Sequence, residues 1–305
     1  MCVMETVKPC VATIGFFDGV HRGHRFLIEQ VKELAAERKL SSTLITFPVH
    51  PRKVMQADYQ PKLLSTPEEK EELLLQAGAD RCVILPFTHE LSRLSAYEFM
   101  RDVLQKQLNV RILVIGYDHR FGHNRSEGFE DYCRYGEEIG MEVVKARAYV
   151  ANGVNISSSV IRAFLSEGEI HLANKCLGYR YFLEGTIVDG YKVGRTIGFP
   201  TANLSVSNPD KLIPANGVYA VKVHLEGHEY KGMLNIGHRP TLDNGAQRSI
   251  EVHILHFSSD IYQKTMRIEF VDRIRDEKKF RRVEELVAQL GRDAELVDRL
   301  LACES

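Results

Sequence analysis

The 305 residues are too many for one ordinary hydrophobic core and suit two domains. Hydrophobic residues at 44% and charged residues at 27% describe a chain that folds throughout and exclude a disordered one. The 40 Lys and Arg against 41 Asp and Glu leave no overall field to draw in nucleic acid or an anionic membrane, so the expected partners are small molecules, with no oligomer indicated.

Met1 to Pro9 carries Glu5 and Lys8 with no apolar core of a secretion signal. No later stretch approaches the roughly 18 consecutive apolar residues of a membrane span, and a cytoplasmic protein is expected. From Val11 to about Leu177, short apolar runs alternate with amphipathic stretches, the pattern of a parallel sheet wrapped by helices. The expected strands are Val11 to Ile14, Leu44 to Phe47, Cys82 to Leu85, Ile112 to Ile115 and Val143 to Val144. Leu27, Val31, Leu34 and Ala35 mark the buried stripe of a first helix. Thr66-Pro67-Glu68-Glu69 and Ser95-Ala96-Tyr97-Glu98 each offer a capping hydroxyl with a glutamate three residues on, so a helix is expected to start at each. After Gly178 the pattern turns to period two, with Tyr219, Val221, Val223 and Leu225, then Ile250, Val252 and Ile254, as inward positions of half-buried strands. With Phe182 to Val188, Met233 to Ile236 and Thr265 to Val271 they predict an antiparallel sheet or small closed barrel, and helical spacing returns from Lys278. The expected domains are therefore 1–178 and 179–305. Cys2, Cys10, Cys82, Cys133, Cys176 and Cys303 are scattered without a C-x-x-C pair and read as reduced structural thiols.

The first strand runs directly into Gly15-Phe16-Phe17-Asp18-Gly19-Val20-His21-Arg22-Gly23-His24. Glycines permit close backbone approach, and the helix start offers free N–H groups and a positive dipole end suited to phosphate. His21 and His24, three residues apart, can hydrogen-bond one phosphate and stabilise charge on it during transfer. Surface histidines or a metal pair are the alternatives for an isolated H-x-G-H. Ile156-Ser157-Ser158-Ser159-Val160-Ile161-Arg162 reads as a helix cap or, through Ser159 and Arg162, as a hold on leaving pyrophosphate. Phe47-Pro48-Val49-His50-Pro51 and Gly116-Tyr117-Asp118-His119-Arg120-Phe121-Gly122 fall at the same sheet edge, where they can shape an acceptor site. In the second half, Thr201 and Asn203 of Gly194-Arg195-Thr196-Ile197-Gly198-Phe199-Pro200-Thr201-Ala202-Asn203 supply neutral oxygens that suit Mg²⁺ when phosphates bring the remaining charge. Glu251, facing away from the apolar side of its strand, can serve as general base towards an alcohol.

Taken in order, G-F-F-D-G-V-H-R-G-H, S-S-S-V-I-R, G-R-T-I-G-F-P-T-A-N, P-A-N-G-V-Y-A, N-I-G-H-R-P-T and E-V-H-I closely resemble the bifunctional riboflavin kinase and FMN adenylyltransferase family over nearly the whole chain. The resemblance implies a Rossmann-like α/β nucleotidyltransferase domain followed by a small antiparallel barrel kinase with a C-terminal helix, using ATP, riboflavin and FMN as substrates and Mg²⁺ as cofactor. It implies catalytic roles for His21, His24 and Glu251. It implies ATP contacts from Gly15, Phe16, Asp18, Gly23, Ser159, Arg162, Gly194, Gly198, Thr201 and Asn203, the last two also holding the metal, and flavin contacts from Phe47, Pro48, Pro51 and Asp118. The chain departs from the family pattern at His119, where an aromatic is usual, and at Tyr179-Arg180 before the barrel. The rivals are a protein with only the kinase site active and a flavin sensor without turnover. The sensor would be expected to lack one of His21, His24, Thr201, Asn203 or Glu251, and all five are present.

Overall fold

The computed structural model describes residues 7–50, 53, 61–116, 119–123, 126–149, 156–189, 193–239 and 247–302. Pro51, Tyr117, Asp118, Pro240, Thr241, Cys2 and Cys303 lie outside the described residues. By internal contacts the chain forms two units, Met1–Ser158 and Ser159–Ser305.

In the first unit, β1 (Cys10–Ile14), β2 (Ser41–Thr46), β3 (Arg81–Ile84), β4 (Val110–Ile115) and β5 (Glu142–Lys145) form a parallel sheet in the order β3-β2-β1-β4-β5. Every residue of β1 is buried, as apolar strands covered on both faces require. Helix α1 (Arg22–Arg38) lays Val31 and Ala35 against Val11, Ile112 and Val114. Both expected capping boxes are present: Thr66 opens α2 (Pro67–Gln76), and Ser95 opens the turn Ala96–Glu98 that leads into the wider-wound α3 (Phe99–Gln107). On the other face of the sheet, α3 and α4 (Phe129–Ile139) enclose a core that includes Met100, Leu104, Leu113 and Tyr132. The strand order reverses between β1 and β4, so the loops leaving these two neighbours diverge and open a crevice at their carboxyl ends.

The second unit begins with α5 (Ser158–Glu167, of which Ser158 counts with the first unit) and α6 (Ile170–Leu177). The division thus falls ahead of the change in hydrophobic period near Gly178. Hydrogen bonds explain why: Ala215 N donates to Leu165 O, and the Asn174 side chain donates to Phe270 O and accepts from Tyr181 N, tying both helices to the strands that follow. Those strands are β6 (Phe182–Val188), β7 (Ala202–Ser205), β8 (Gly217–Leu225), β9 (His228–Arg239), β10 (Gln247–Ile254) and β11 (Thr265–Arg275). They close a barrel in the order β10-β7-β6-β11-β8-β9. Strand β7 has no counterpart among the expected strands; its first two residues, Ala202 and Asn203, close the G-F-P-T-A-N string. Strict half-burial also gives way on β8, where Val218 and Ala220 are buried on the outward face. The helix α7 (Val283–Ala302) covers them there with Val297 and Leu301.

Tyr132 positions the loop that follows β4. Its ring stacks on Phe121 with centroids 4.3 Å apart, and its hydroxyl accepts from Phe121 N while lying within bonding distance of Phe121 O and Glu127 O. Tyr132→Phe leaves these buried backbone groups unmatched and is expected to lower stability by about 1–3 kcal/mol, read from the urea midpoint of the first transition.

Candidate active sites

The loop between β1 and α1 is held in a strained form. Phe17 and Val20 have positive φ (53° and 34°), costing about 1–3 kcal/mol each, and only Gly19 takes its φ of 75° without a side-chain penalty. The restraint is the buried carboxylate of Asp18, which accepts from Leu64 N at 3.0 Å and Ser65 N at 3.1 Å, while Gly19 N donates to Ser65 Oγ at 3.0 Å. Ser158 Oγ donates to the Asp18 carbonyl at 2.9 Å. Asp18, expected among the ATP contacts, thus directs its carboxylate at the strand-to-helix segment before α2. Gly15, at the end of β1, donates to Ile45 O.

His21 caps α1. Its Nδ1 accepts from His24 N at 3.4 Å, so in the neutral ring the proton sits on Nε2, which is left to donate. The two imidazoles stack with centroids 3.6 Å apart and planes inclined by 18°, and Phe17 meets His24 edge-on at 5.2 Å. A Cβ on Gly23 would lie 3.2 Å from His21 Nδ1, so the glycine of H-x-G-H leaves room for the first imidazole. Burial lowers the His21 pKa to about 4. Burial first, then the neighbouring His21, His119 and Lys70, hold His24 well below the usual imidazole range. Two neutral stacked imidazoles at a helix N-terminus can donate to a phosphate without bringing a labile charge.

Around them, Phe16 is half-buried, meeting the His50 ring edge-on at 4.7 Å. Phe47, expected at the flavin, is buried in the core against Phe87, and only its backbone reaches the sheet edge. Pro48 is half-buried beside it. Ser159 is exposed in the first turn of α5 with Arg162 half-buried one turn on, and the hydroxyl bonded to the strained loop belongs to Ser158 instead.

In the barrel, register sets the second site. Glu251 pairs with Asn203 of β7 on one side and with Asn235 of β9 on the other, and Asn235 pairs in turn with Val218 of β8. Paired residues point to the same face, so Asn203, Glu251, Asn235 and Val218 form one row across four strands. Glu251, Asn235 and Val218 line a cavity of about 310 Å³ that Phe199, Met233, Phe280, Leu286 and Leu290 make largely apolar. A second cavity, of about 490 Å³, lies beside Arg195, Ser258, Asp260 and Tyr262. Thr201 borders both. Gly194 lines the first, its carbonyl accepting from Phe199 N at 2.8 Å, and Gly198 is exposed at the turn with φ 83°. His253 Nδ1 lies 2.8 Å from Pro200 O and so ties the Phe199–Thr201 loop to the strand of Glu251. Thr201 and Asn203 are neutral oxygen donors, a set that fits Mg²⁺ alongside nucleotide phosphates.

Sequence reasoning gave no role to Asn235, His253 or Lys70. The first two were within reach, since Asn235 opens N-I-G-H-R-P-T and His253 shares a strand face with Glu251 by period two. Lys70 sits on a helix whose signals were all of capping, and nothing in its spacing marks a buried ammonium.

Family models for FAD synthetase and riboflavin kinase match residues 3–160 and 177–301. A protein of Escherichia coli (strain K12) named bifunctional riboflavin kinase/FMN adenylyltransferase is 36% identical over 94% of this chain and 91% of its own length. Proteins of the same name from Listeria monocytogenes (40% identical, covering 93% and 90%) and Bacillus subtilis (36%, covering 95% and 92%) are similar. A crystal structure titled as a macrolide-efflux protein of Streptococcus pneumoniae superposes with a TM-score of 0.89 at 33% identity over 97% of this chain and 96% of that one. Among the described residues no helix is long and apolar enough to cross a membrane.

Because His21 stays neutral until about pH 4 in the folded chain but protonates near 6.5 when unfolded, the unfolded state binds more protons between these values. Stability therefore falls as pH drops through that window. The urea midpoint is expected to slope accordingly, and His21→Asn to flatten the slope.

Proposed function

The chain belongs to the bifunctional riboflavin kinase/FMN adenylyltransferase family, and from that premise we propose how its residues divide the two reactions. The enzyme phosphorylates riboflavin with ATP to FMN, then joins FMN to the adenylyl group of a second ATP, giving FAD and pyrophosphate. The two steps make different demands. An alcohol must lose a proton as it attacks the γ-phosphorus, whereas the phosphate of FMN is already an anion when it attacks the α-phosphorus and requires no base.

Riboflavin phosphorylation belongs to the barrel. The observation that carries this is the row of Asn203, Glu251 and Asn235, of which Glu251 and Asn235 line an apolar cavity bordered by Thr201. The cavity containing Glu251 takes the flavin, its apolar wall meeting the ring system and the carboxylate accepting the proton of the 5′-hydroxyl. The cavity on the other side of Thr201, lined by Arg195, Ser258 and Tyr262, takes ATP. Thr201 and Asn203 would hold Mg²⁺, which would supply charge neutralisation to the phosphates.

Adenylyl transfer belongs to the crevice of the first unit. His21 Nε2 and the His24 imidazole donate to phosphate oxygens as charge builds there, the strained loop presents the N-terminus of α1, and Gly15 and Gly23 keep the backbone close. Phe16 stays with the ATP contacts, and Pro48 and His119 border the flavin of the acceptor. Ser159 and Arg162 serve the departing pyrophosphate, an anion matched to guanidinium. We place the enzyme in the cytoplasm, where ATP is made and where Cys10, Cys82 and Cys133 persist as thiols.

Incubation with riboflavin, ATP and Mg²⁺, with the flavins separated by chromatography over time, tests the division. Glu251→Gln is expected to slow FMN formation by about 10²–10⁴ while FMN supplied directly still becomes FAD. His24→Ala is expected to accumulate FMN, with FAD formation down about 10²–10³. Loss of both steps in either folded variant overturns the assignment of two separate sites.

A further inference from the structure

Lys70 is 3% exposed, which is rare for a lysine. Its Nζ donates to the Phe47 carbonyl, at the end of β2, over 2.6 Å, and lies 4.0 Å above the Phe16 ring, just past the end of β1. The helix that carries it is fixed to the same loop as the histidines. Asp18 binds Leu64 N and Ser65 N, Thr66 caps α2, and Lys70 N donates to Thr66 O. Burial lowers the amine to about 8, with Asp18 and Cys82 opposing the shift. Burying an ammonium is costly, and a methionine-like side chain would pack there at lower cost, so stability alone does not account for a charge at this position. The location does, because the crevice beside the imidazoles is where a triphosphate and a phosphate monoester must meet.

We propose that Lys70 is a positioning residue for adenylyl transfer: its ammonium, clamped between the Phe47 carbonyl and the Phe16 ring, fixes the ends of β1 and β2 about the stacked imidazoles and gives that crevice a buried positive charge. The inference rests on the assignment of adenylyl transfer to His21 and His24. The charged and titratable groups bearing on His24 are His21 from its own helix, His119 from the turn after β4, and Lys70 from α2. Those bearing on Lys70 are Asp18 from the strained loop and Cys82 from β3. Burial chiefly keeps the His24 ring neutral; the ammonium adds to that as the smallest of the three neighbouring charge effects, and it offsets part of the charge of incoming phosphates.

The test uses the full chain with Lys70→Met and Lys70→Arg, following riboflavin to FMN and FMN to FAD separately and titrating His24 by NMR. His24→Ala supplies the resonance assignment and a control. Lys70→Met is expected to lower kcat/KM for FAD formation about 100-fold, leave riboflavin phosphorylation unchanged, and move the His24 titration to higher pH as the repelling charge is removed. Lys70→Arg keeps the charge and is expected to recover part of FAD formation with His24 near its original titration. Lys70→Gln, which retains a donor for the Phe47 carbonyl but no charge, replaces the methionine variant should that fail to fold. Wild-type FAD formation in Lys70→Met, or a loss with His24 titrating as before, overturns the role of the charge. Full FAD formation in His24→Ala instead overturns the site assignment itself, and the inference with it.

Discussion

The buried carboxylate of Asp18 is the interaction on which the first active site depends. Hydrogen bonds to a charged acceptor are worth about 1.5–3 kcal/mol each, the same order as the strain stored at Phe17 and Val20. The loop keeps its shape because the two are matched. That shape presents His21 as the cap of α1, brings its ring over His24, and draws the start of α2 close enough for Lys70 to reach Phe47. Sequence reasoning set Asp18 beside ATP; its carboxylate accepts from Leu64 N and Ser65 N, and under the proposed assignment it organises the residues that would meet the phosphates.

The barrel solves a different problem by different means. Antiparallel register, and not a strained loop, puts Glu251 between two asparagines and beside the Thr201 loop, which His253 ties back to the strand of Glu251. Rigid strands suit a base that must meet one hydroxyl in line with a phosphorus. A helix start with neutral imidazoles suits the other step, in which both partners arrive as anions and no proton has to be removed. The contrast between the two sites follows from the protonation of the two nucleophiles, an alcohol and a phosphate.

Much of this was legible in the sequence because it is local. The strand runs, the Thr66 and Ser95 caps, the H-x-G-H turn and the period-two strands each depend on residues a few positions apart, and each appears where local rules put it. What was not legible depends on partners far along the chain. The aim of Asp18 is set by Leu64 and Ser65, the burial of the Phe47 ring by Phe87, and the outward burial of Val218 and Ala220 by α7. The division at Ser158 follows from hydrogen bonds of α5 and α6 to residues beyond position 180, which no change in hydrophobic period records. Lys70 is the extreme case, since a lysine on a helix reads as solvated until its surroundings are known.

The C-terminal helix joins stability to function in the barrel. Val218, Ala220 and Met233 would be an exposed apolar patch on the outer wall without Val297 and Leu301 over them. The same helix contributes Leu286 and Leu290 to the cavity that holds Glu251. Arg275, which also lines that cavity, sends Nε and Nη2 to Asp293 Oδ2 at 2.9 and 2.7 Å, and Asp293 is only 3% exposed. An ion pair so placed adds little net stability over an apolar pair but penalises loss of either partner. Its effect is to fix where the helix sits along the barrel. The distance between the apolar lid and the carboxylate is thereby set by the fold, so under the proposed assignment the flavin would meet a pocket whose depth relative to Glu251 is already determined.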